Sequence, residues 1–541
     1  MGRGAGIFMM SIYPHLISLL RYPPSPPPRA YPLEPERKLC YSTFINPFEV
    51  QMMHTRHLLS AAAFLALLLL LLAGLSRVFE YKSSREKLTP FFERAAQLDV
   101  LFFGDSHMYS GLYPMELWAD YGITSYNLSN YNLTIPISYW VMRNALSVCQ
   151  PEVVVLDVNQ VWEQAKLCAS SSEVHTALDG FPMSRTKLEA ILDLTDDPLF
   201  TDDKGQRYRD LRPEFIFPFI KYHTRWSDLT AQDLKPHHNQ ELGGERKIAV
   251  ALPEAYEITG AAADEQGFGF LYLRRFIEDC QSRGIRVLLT NLPYPCPNNS
   301  EEQFYTNAVV YTAEEYGIEY LDFVYMDQIV DYTTDCYDPA SHLNPSGAWK
   351  VTNFLGQHLQ EAYGLPDHRG EAAYASWDSD YAAYRERKLK SLRRETDPYA
   401  FLMLLSDPSF STILLVPKNS AAYTDSLAMQ LLQNAGRRHL LYSDTDEAVW
   451  SDALMPLEQI TQPVGGSYLA VIDRGGGMIG ECVESGTVFT AFGSVTLDGC
   501  AATAVTPRGS VQLVAQPGAD IFAVVLDRQS GDVLYERAVK L

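Results

Sequence analysis

The run "LLSAAAFLALLLLLLAGL", Leu58–Leu75, carries no charge. In hydrocarbon every backbone N–H and C=O must be satisfied within its own segment, so a run like this has one conformation open to it, a helix. At helical rise it reaches about 27 Å, close to the thickness of a bilayer core. A secretory signal has a shorter apolar core and a small-x-small cleavage site; "AGLS" matches that poorly. We expect an uncleaved transmembrane anchor over residues 56–79. Arg37, Lys38 and Arg56 precede it, and Arg77, Lys82, Arg85 and Lys87 follow, so charge bias does not orient it. One span ahead of a large C-terminal body puts that body outside. The expected location is the cell membrane, single-pass, with the body extracytoplasmic. Residues 1–51, with "RYPPSPPPRAYPLEPERK", are too Pro-rich for regular structure. They are a tail, or translation starts at Met52 or Met53.

The chain has 541 residues, more than one typical core holds. After the anchor, apolar runs alternate with helix-like stretches. The runs are "DVLFFG" (99–104), "EVVVLDV" (152–158), "RVLLTNL" (286–292) and "IEYLDFV" (318–324). Continuous apolar runs suit strands buried on both faces of a parallel sheet. Helices are expected at 138–149, 268–284 and 307–317 between them. This alternation predicts an α/β domain over residues 90–366, doubly wound and flavodoxin-like, with right-handed crossovers. Residues 160–265 interrupt it as a polar, aromatic insertion, a cap over the sheet's active edge. A charged, helix-like linker follows at 367–396. A smaller β-rich (α+β) domain closes the chain at 397–541. In it "SYLAVIDRGGGMIGECV" and "IFAVVLDRQSGDVLYERAV" faintly repeat, each a strand, a turn and a second strand.

Charge and cysteines exclude several functions. With 44 Lys+Arg against 66 Asp+Glu the net charge is −22, a poor match for nucleic acid, whose phosphates need clustered Lys and Arg. No zinc-type spacing is present, and no metal or other cofactor is expected. The Gly-rich "DRGGGMIG" (473–480) lacks the features of a phosphate-binding loop and reads as a turn. The eight cysteines are dispersed. Cys296 with Cys336 and Cys482 with Cys500 could bridge in an oxidising space; buried free thiols are the alternative.

In open α/β sheets ligands bind beyond the carboxyl ends of the strands. Ser106, Asn159 and Asn291 all fall there. Ser106 lies in "FFGDSH", where a strand stops and a helix starts. A serine becomes a nucleophile when a base takes its proton and a third group orients that base. "DCYDPASHLNPSG" (335–347) offers His342 with Asp338 four residues earlier, then Asn344-Pro345 as a helix start. Each piece alone also reads as a cap: Asp105 and Ser106 on one helix, Asn344 on another.

As a pair, "FFGDSH" and "D…SHLNPSG…K" resemble the SGNH (GDSL-type) hydrolase superfamily. Within it the chain looks most like the membrane-anchored branch of DltD and alginate-acetylation proteins. The resemblance spans roughly residues 95–360. It implies Ser106 as nucleophile, His342 as general base and acid, and Asp338 as orienter. Pro339, Ala340 and Ser341 separate Asp338 from His342, one residue more than the superfamily usually has, which leaves Asp335 as a second candidate. The oxyanion positions fall on Ser129, where the family has Gly, and Asn159. Asp105, His107 and Asn291, with His223, Arg225 and Trp226 of the insertion, are candidate substrate contacts. The implied chemistry is acyl transfer or ester hydrolysis through an acyl-serine, on O-acyl groups of a surface polysaccharide or teichoic-acid-like polymer, with a membrane-bound O-acyltransferase as partner. The alternatives are a carbohydrate O-acetyl esterase and a non-catalytic assembly protein on the same fold. Residues 397–541 resemble, loosely, the interleukin-like (GG) domain.

Overall fold

The structure, a computed structural model, describes residues 47–541 except 169, 198, 203, 207–209, 235–240, 295–300, 327, 418, 437–439, 443–447, 451–467, 473–477, 483–484, 491–492, 499–500, 508, 515 and 529. Most of the Pro-rich tail, Cys296, Cys500 and the turn at 473–477 therefore lie outside the described residues. Cys336, which the sequence leaves open as either a partner of Cys296 or a buried thiol, is a buried free thiol.

Helix α1 (Pro47–Phe79) contains the apolar run, and Arg56–Phe79 is long and apolar enough to cross a membrane. Its last carbonyls are capped from beyond the helix: Lys82 Nζ donates to Arg77 O at 2.5 Å and to Val78 O at 3.0 Å. This is the orphan-acceptor solution common at helix C-termini. Helix α2 (Ser83–Arg94) leads into the sheet.

Five parallel strands follow: β1 (Val100–Phe103), β2 (Ser125–Asn127), β3 (Val153–Asp157), β4 (Arg286–Asn291) and β5 (Glu319–Asp322). Their order is β2-β1-β3-β4-β5, the flavodoxin-like order. The apolar runs are continuous because each strand is covered on both faces. Leu101, Phe103, Val154 and Leu156 enter one core, and Val100, Phe102, Val153 and Val155 enter the other, the period-two alternation of a strand. Helices α3 (Ser106–Gly111), α4 (Pro114–Tyr121) and α5 (Ile135–Ala145) lie between the early strands. Within the insertion are α6 (Ser171–Leu178), α7 (Arg185–Leu194), α8 (Arg212–Ile216) and α9 (Phe219–Tyr222). Helices α10 (Gly267–Ser282), α11 (Glu302–Tyr316) and α12 (Pro345–Tyr363) complete the layers. One core takes residues of α5, α10 and α11, and the other takes residues of α12.

The charged stretch forms helix α13 (Ala375–Arg394). It is helical as expected, but it is no free linker. Trp377, Tyr384, Lys388, Leu389 and Leu392 are buried. Lys388 Nζ pairs with Glu116 of α4 at 2.5 Å and with Asp407 at 2.8 Å. Residues 70–541 accordingly form one compact unit. Beyond α14 (Pro398–Leu404), strand Phe410–Val416 is the centre of an antiparallel sheet. On one side it pairs with the hairpin Tyr468–Ile472/Met478–Cys482, and on the other with Ile521–Asp527/Val533–Val539. These hairpins are the two faint repeats of the sequence. An antiparallel four-stranded meander spans residues 485–514.

Candidate active site

The strand order reverses between β1 and β3, and ligands of open α/β sheets bind beyond the carboxyl ends of the strands at such a switch point. Ser106 follows β1 and Asn159 follows β3. Gly104 makes the exit turn with φ +147°, and a Cβ there would come within 2.7 Å of the Asp157 Cβ. Only glycine fits both conditions. Asp105 then caps α3, its Oδ1 accepting from His107 N at 2.9 Å. Ser106 becomes the first residue of the helix.

The partner loop closes on itself before α12. Asn344 N donates to Asp335 O at 2.8 Å and Tyr337 N to His342 O at 2.8 Å. Asn344 caps α12 through Ser346 N at 3.0 Å and Gly347 N at 3.3 Å. Its Nδ2 donates back to Thr334 O at 2.8 Å. Ser341 takes a left-handed conformation, φ +63°. That turn absorbs the extra residue between Asp338 and His342.

His342 Nε2 lies 2.8 Å from Ser106 Oγ. His342 Nδ1 lies 2.9 Å and 3.1 Å from the Asp338 oxygens. An ionised carboxylate can only accept, so Nδ1 carries the proton and the Nε2 lone pair faces the Ser106 hydroxyl. Burial alone would raise Asp338, but its hydrogen bonds to His342 outweigh this and hold it below the usual carboxylate value. Asp335 is engaged elsewhere: its Oδ2 pairs with Lys350 Nζ at 2.6 Å in the protein interior. Between the two candidate acids, Asp338 is the one in contact with His342.

A second His–Asp pair sits beside the first. His107 stacks on His342 with ring centroids 4.4 Å apart and planes 11° from parallel. His107 Nδ1 is 3.3 Å from Asp105 Oδ1. Burial disfavours the charged ring, yet the Asp105 carboxylate prevails and raises His107 above the usual histidine value. Gln160, a residue the sequence does not flag, donates from Nε2 to Asp105 Oδ2 at 2.7 Å. Asp157, also unflagged, is pushed up to about 8 by burial and by the Asp105 charge. Tyr294 lies 4.4 Å from the His107 ring, and Tyr337 stacks on His342 at 5.5 Å.

The other expected site residues separate into two groups. Asn159 is buried just past the end of β3, and its Oδ1 accepts from Gln160 Nε2 at 3.5 Å. Ser129 does not offer its amide: Ser129 N donates to Asn127 Oδ1 at 3.1 Å, and its hydroxyl bonds the same oxygen. Its carbonyl accepts from Lys87. A serine side chain where glycine was expected draws the turn onto Asn127. Asn291 is buried and donates to Asp322 Oδ1 at 3.0 Å, so it braces β4 against β5. His223, Arg225 and Trp226 are elsewhere. Arg225 donates to the carbonyl of Phe79 and stacks over Tyr81, while His223 turns back on Ile220 O at 2.9 Å. The part of the insertion that borders the site is its return segment: Glu254 N donates to Pro339 O at 2.9 Å and Ala251 N to Cys336 O at 3.0 Å.

No protein-family model matches the chain, and no curated protein matches it. Solved structures do. A protein assigned as lipolytic, of the G-D-S-L family, from Desulfitobacterium hafniense is 13% identical, with 48% of this chain and 97% of that one covered and a TM-score of 0.24. A protein assigned as an acylhydrolase, from Bacteroides fragilis, is 10% identical, covering 52% and 99%, with a TM-score of 0.27. An acetyl xylan esterase from the rumen bacterium Butyrivibrio proteoclasticus is 9% identical, covering 50% and 65%, with a TM-score of 0.22. The chain is thus similar, loosely and over about half its length, to structures of lipolytic and acyl-ester hydrolases.

Proposed function

We propose that the protein is a membrane-anchored serine acyltransferase or esterase of SGNH type, working through an acyl-serine at Ser106. The single observation that carries this is the unbroken relay from Asp338 through His342 to Ser106, at 2.9 Å and 2.8 Å. Ser106 Oγ attacks an ester carbonyl as its proton passes to His342 Nε2. The tetrahedral oxyanion takes hydrogen bonds from the Ser106 backbone N–H and from Asn159 Nδ2. Collapse expels the alcohol, which leaves with the proton from His342, and an ester to Ser106 remains. His342 then deprotonates an incoming hydroxyl, which attacks that ester and frees Ser106. Water gives hydrolysis; a sugar or polyol hydroxyl gives transfer.

The acceptor we favour is a surface polysaccharide or a teichoic-acid-like polymer. Two features support it: an apolar helix fit to anchor the body at a membrane, and motifs resembling the DltD and alginate-acetylation branch. In that setting the body is extracytoplasmic, and a membrane-bound O-acyltransferase delivers acyl groups. The test uses the full chain in detergent, an acyl ester donor and purified polymer. Wild type should form a fluorophosphonate adduct and an acyl adduct on Ser106 by intact mass. Ser106→Ala should lose both and lose turnover by a factor of about 10³ or more. Full turnover in Ser106→Ala would overturn the reading. Labelled acyl groups on polymer rather than in water would mark transfer.

A further inference from the structure

The stretch 212–227 is aromatic and leaves Ile216, Ile220 and Trp226 exposed. It is tied to the end of α1. Arg225 donates to the Phe79 carbonyl and stacks over Tyr81 at 3.9 Å. Phe79 meets Phe219 edge-on at 5.8 Å, and Tyr81 meets Tyr222 at 5.7 Å. Beside these contacts is a cavity of about 570 Å³, whose wall includes Ala73, Arg77, Val148, Met183, Ile216 and Phe217. Ala73 belongs to the apolar run Leu58–Leu75. Ala73 thus lines the same cavity as Met183 and Ile216.

We propose that Met183, Ile216, Ile220 and Trp226 form a docking face for the lipid bilayer at its hydrocarbon–headgroup boundary. The proposal rests on the reading of α1 as a membrane anchor. Met183 and Ile216 are each 52% exposed and Trp226 is 71% exposed. Side chains of this kind gain about 25 cal/mol for each Å² taken out of water, and Met183 and Ile216 share one cavity wall. Trp prefers the membrane–water interface, where its ring is buried and its N–H stays wet. Of the nearby charges, Arg85 pairs with Glu80 at 2.6 Å and Arg225 with Asp233 at 3.0 Å, while Arg77 and Lys187 stand on the cavity wall. Exposed apolar side chains next to the end of α1 suit a lipid surface.

The test is tryptophan quenching in the full chain, reconstituted into phosphatidylcholine vesicles with bromine on the acyl chains. The signal of Trp226 is the difference between wild type and Trp226→Phe. Bromolipid should remove most of that difference signal, and aqueous acrylamide should remove little. Ile216→Asp with Ile220→Asp should reverse that pattern while the protein still floats with the vesicles. A protein that floats but whose Trp226 is quenched by acrylamide and not by bromolipid would overturn the docking face alone. That result would also point to a protein partner as the occupant. A protein that fails to float would overturn the anchor reading and the docking face together.

Discussion

Asp105, His107 and Asp157 form a buried trio beneath Ser106, and their charges are interdependent. Burial works against ionised Asp105, but the contacts with His107 lower it below the usual value. The same Asp105 charge, added to burial, lifts Asp157 to about 8. A carboxyl whose folded value lies above its unfolded one favours folding less as pH rises between the two. Wild type should therefore lose stability from about pH 4 to pH 8 on account of Asp157. Asp157→Asn keeps the acceptor for Leu292 N, now 3.0 Å from Asp157 Oδ1, and removes the titration. Its melting temperature should exceed that of wild type at pH 8 by the equivalent of about 1 kcal/mol or more, with little gain at pH 5; an equal shift at both would refute this. His107 has the matching sign for a base. Its contribution is complete below about pH 6.5 and fades as pH rises through its raised value. The stability lost in His107→Phe should accordingly be larger at pH 6 than at pH 9 in thermal melts. The residues in contact with Ser106 were legible because two motifs, far apart in the chain, together supply Ser, His and Asp. Gln160 and Asp157 were not legible. A glutamine and a strand-end aspartate carry no pattern, and their roles come from β1 and β3 lying side by side. Trp226 and Arg225 were misplaced because polarity and aromaticity tell that a residue meets something, not what it meets.

Among the elements, α12 has the most direct hold on the site. Its cap, Asn344, also donates to Thr334 O and to Cys336 O at 3.2 Å, and so fixes both ends of the His342 loop. Asn344→Ala should cost about 2 kcal/mol in urea unfolding. It should also lower kcat more than it raises KM, because the loss falls on the placing of His342 rather than on substrate contact. Helix α13 gives a second element-scale expectation. Lys388→Met takes from buried Glu116 and part-buried Asp407 the ammonium they share, at a cost of about 3 kcal/mol; a midpoint in denaturant equal to wild type would argue against the buried network. Four of the five sheet strands show in the sequence as apolar runs. The missing one, β2, is only Ser125–Asn127, too short and too polar to stand out. The buried side of α13 was not legible for a related reason. Its charges are evident at every turn, whereas the burial of Trp377 and Tyr384 depends on partners more than two hundred residues away, Glu116 accepting from Tyr384 at 3.0 Å.

For the molecule as a whole, the C-terminal sheet is packed against α13. Leu389 and Leu392 of α13 share a core with Phe401, Phe410, Leu414 and Val525. A chain ending at residue 395 would leave that face open to water. It should aggregate on size exclusion even without α1; a monodisperse, active fragment would instead make residues 397–541 an independent appendage. The separation of Ser106 from His342 has a temporal consequence. The two residues in contact are 236 positions apart. At ribosomal speed that gap takes roughly ten to fifty seconds to synthesise. Through that interval the nascent chain carries Ser106 without His342, so on the proposed reading its reactivity would be withheld until β4, β5 and the His342 loop have joined the sheet.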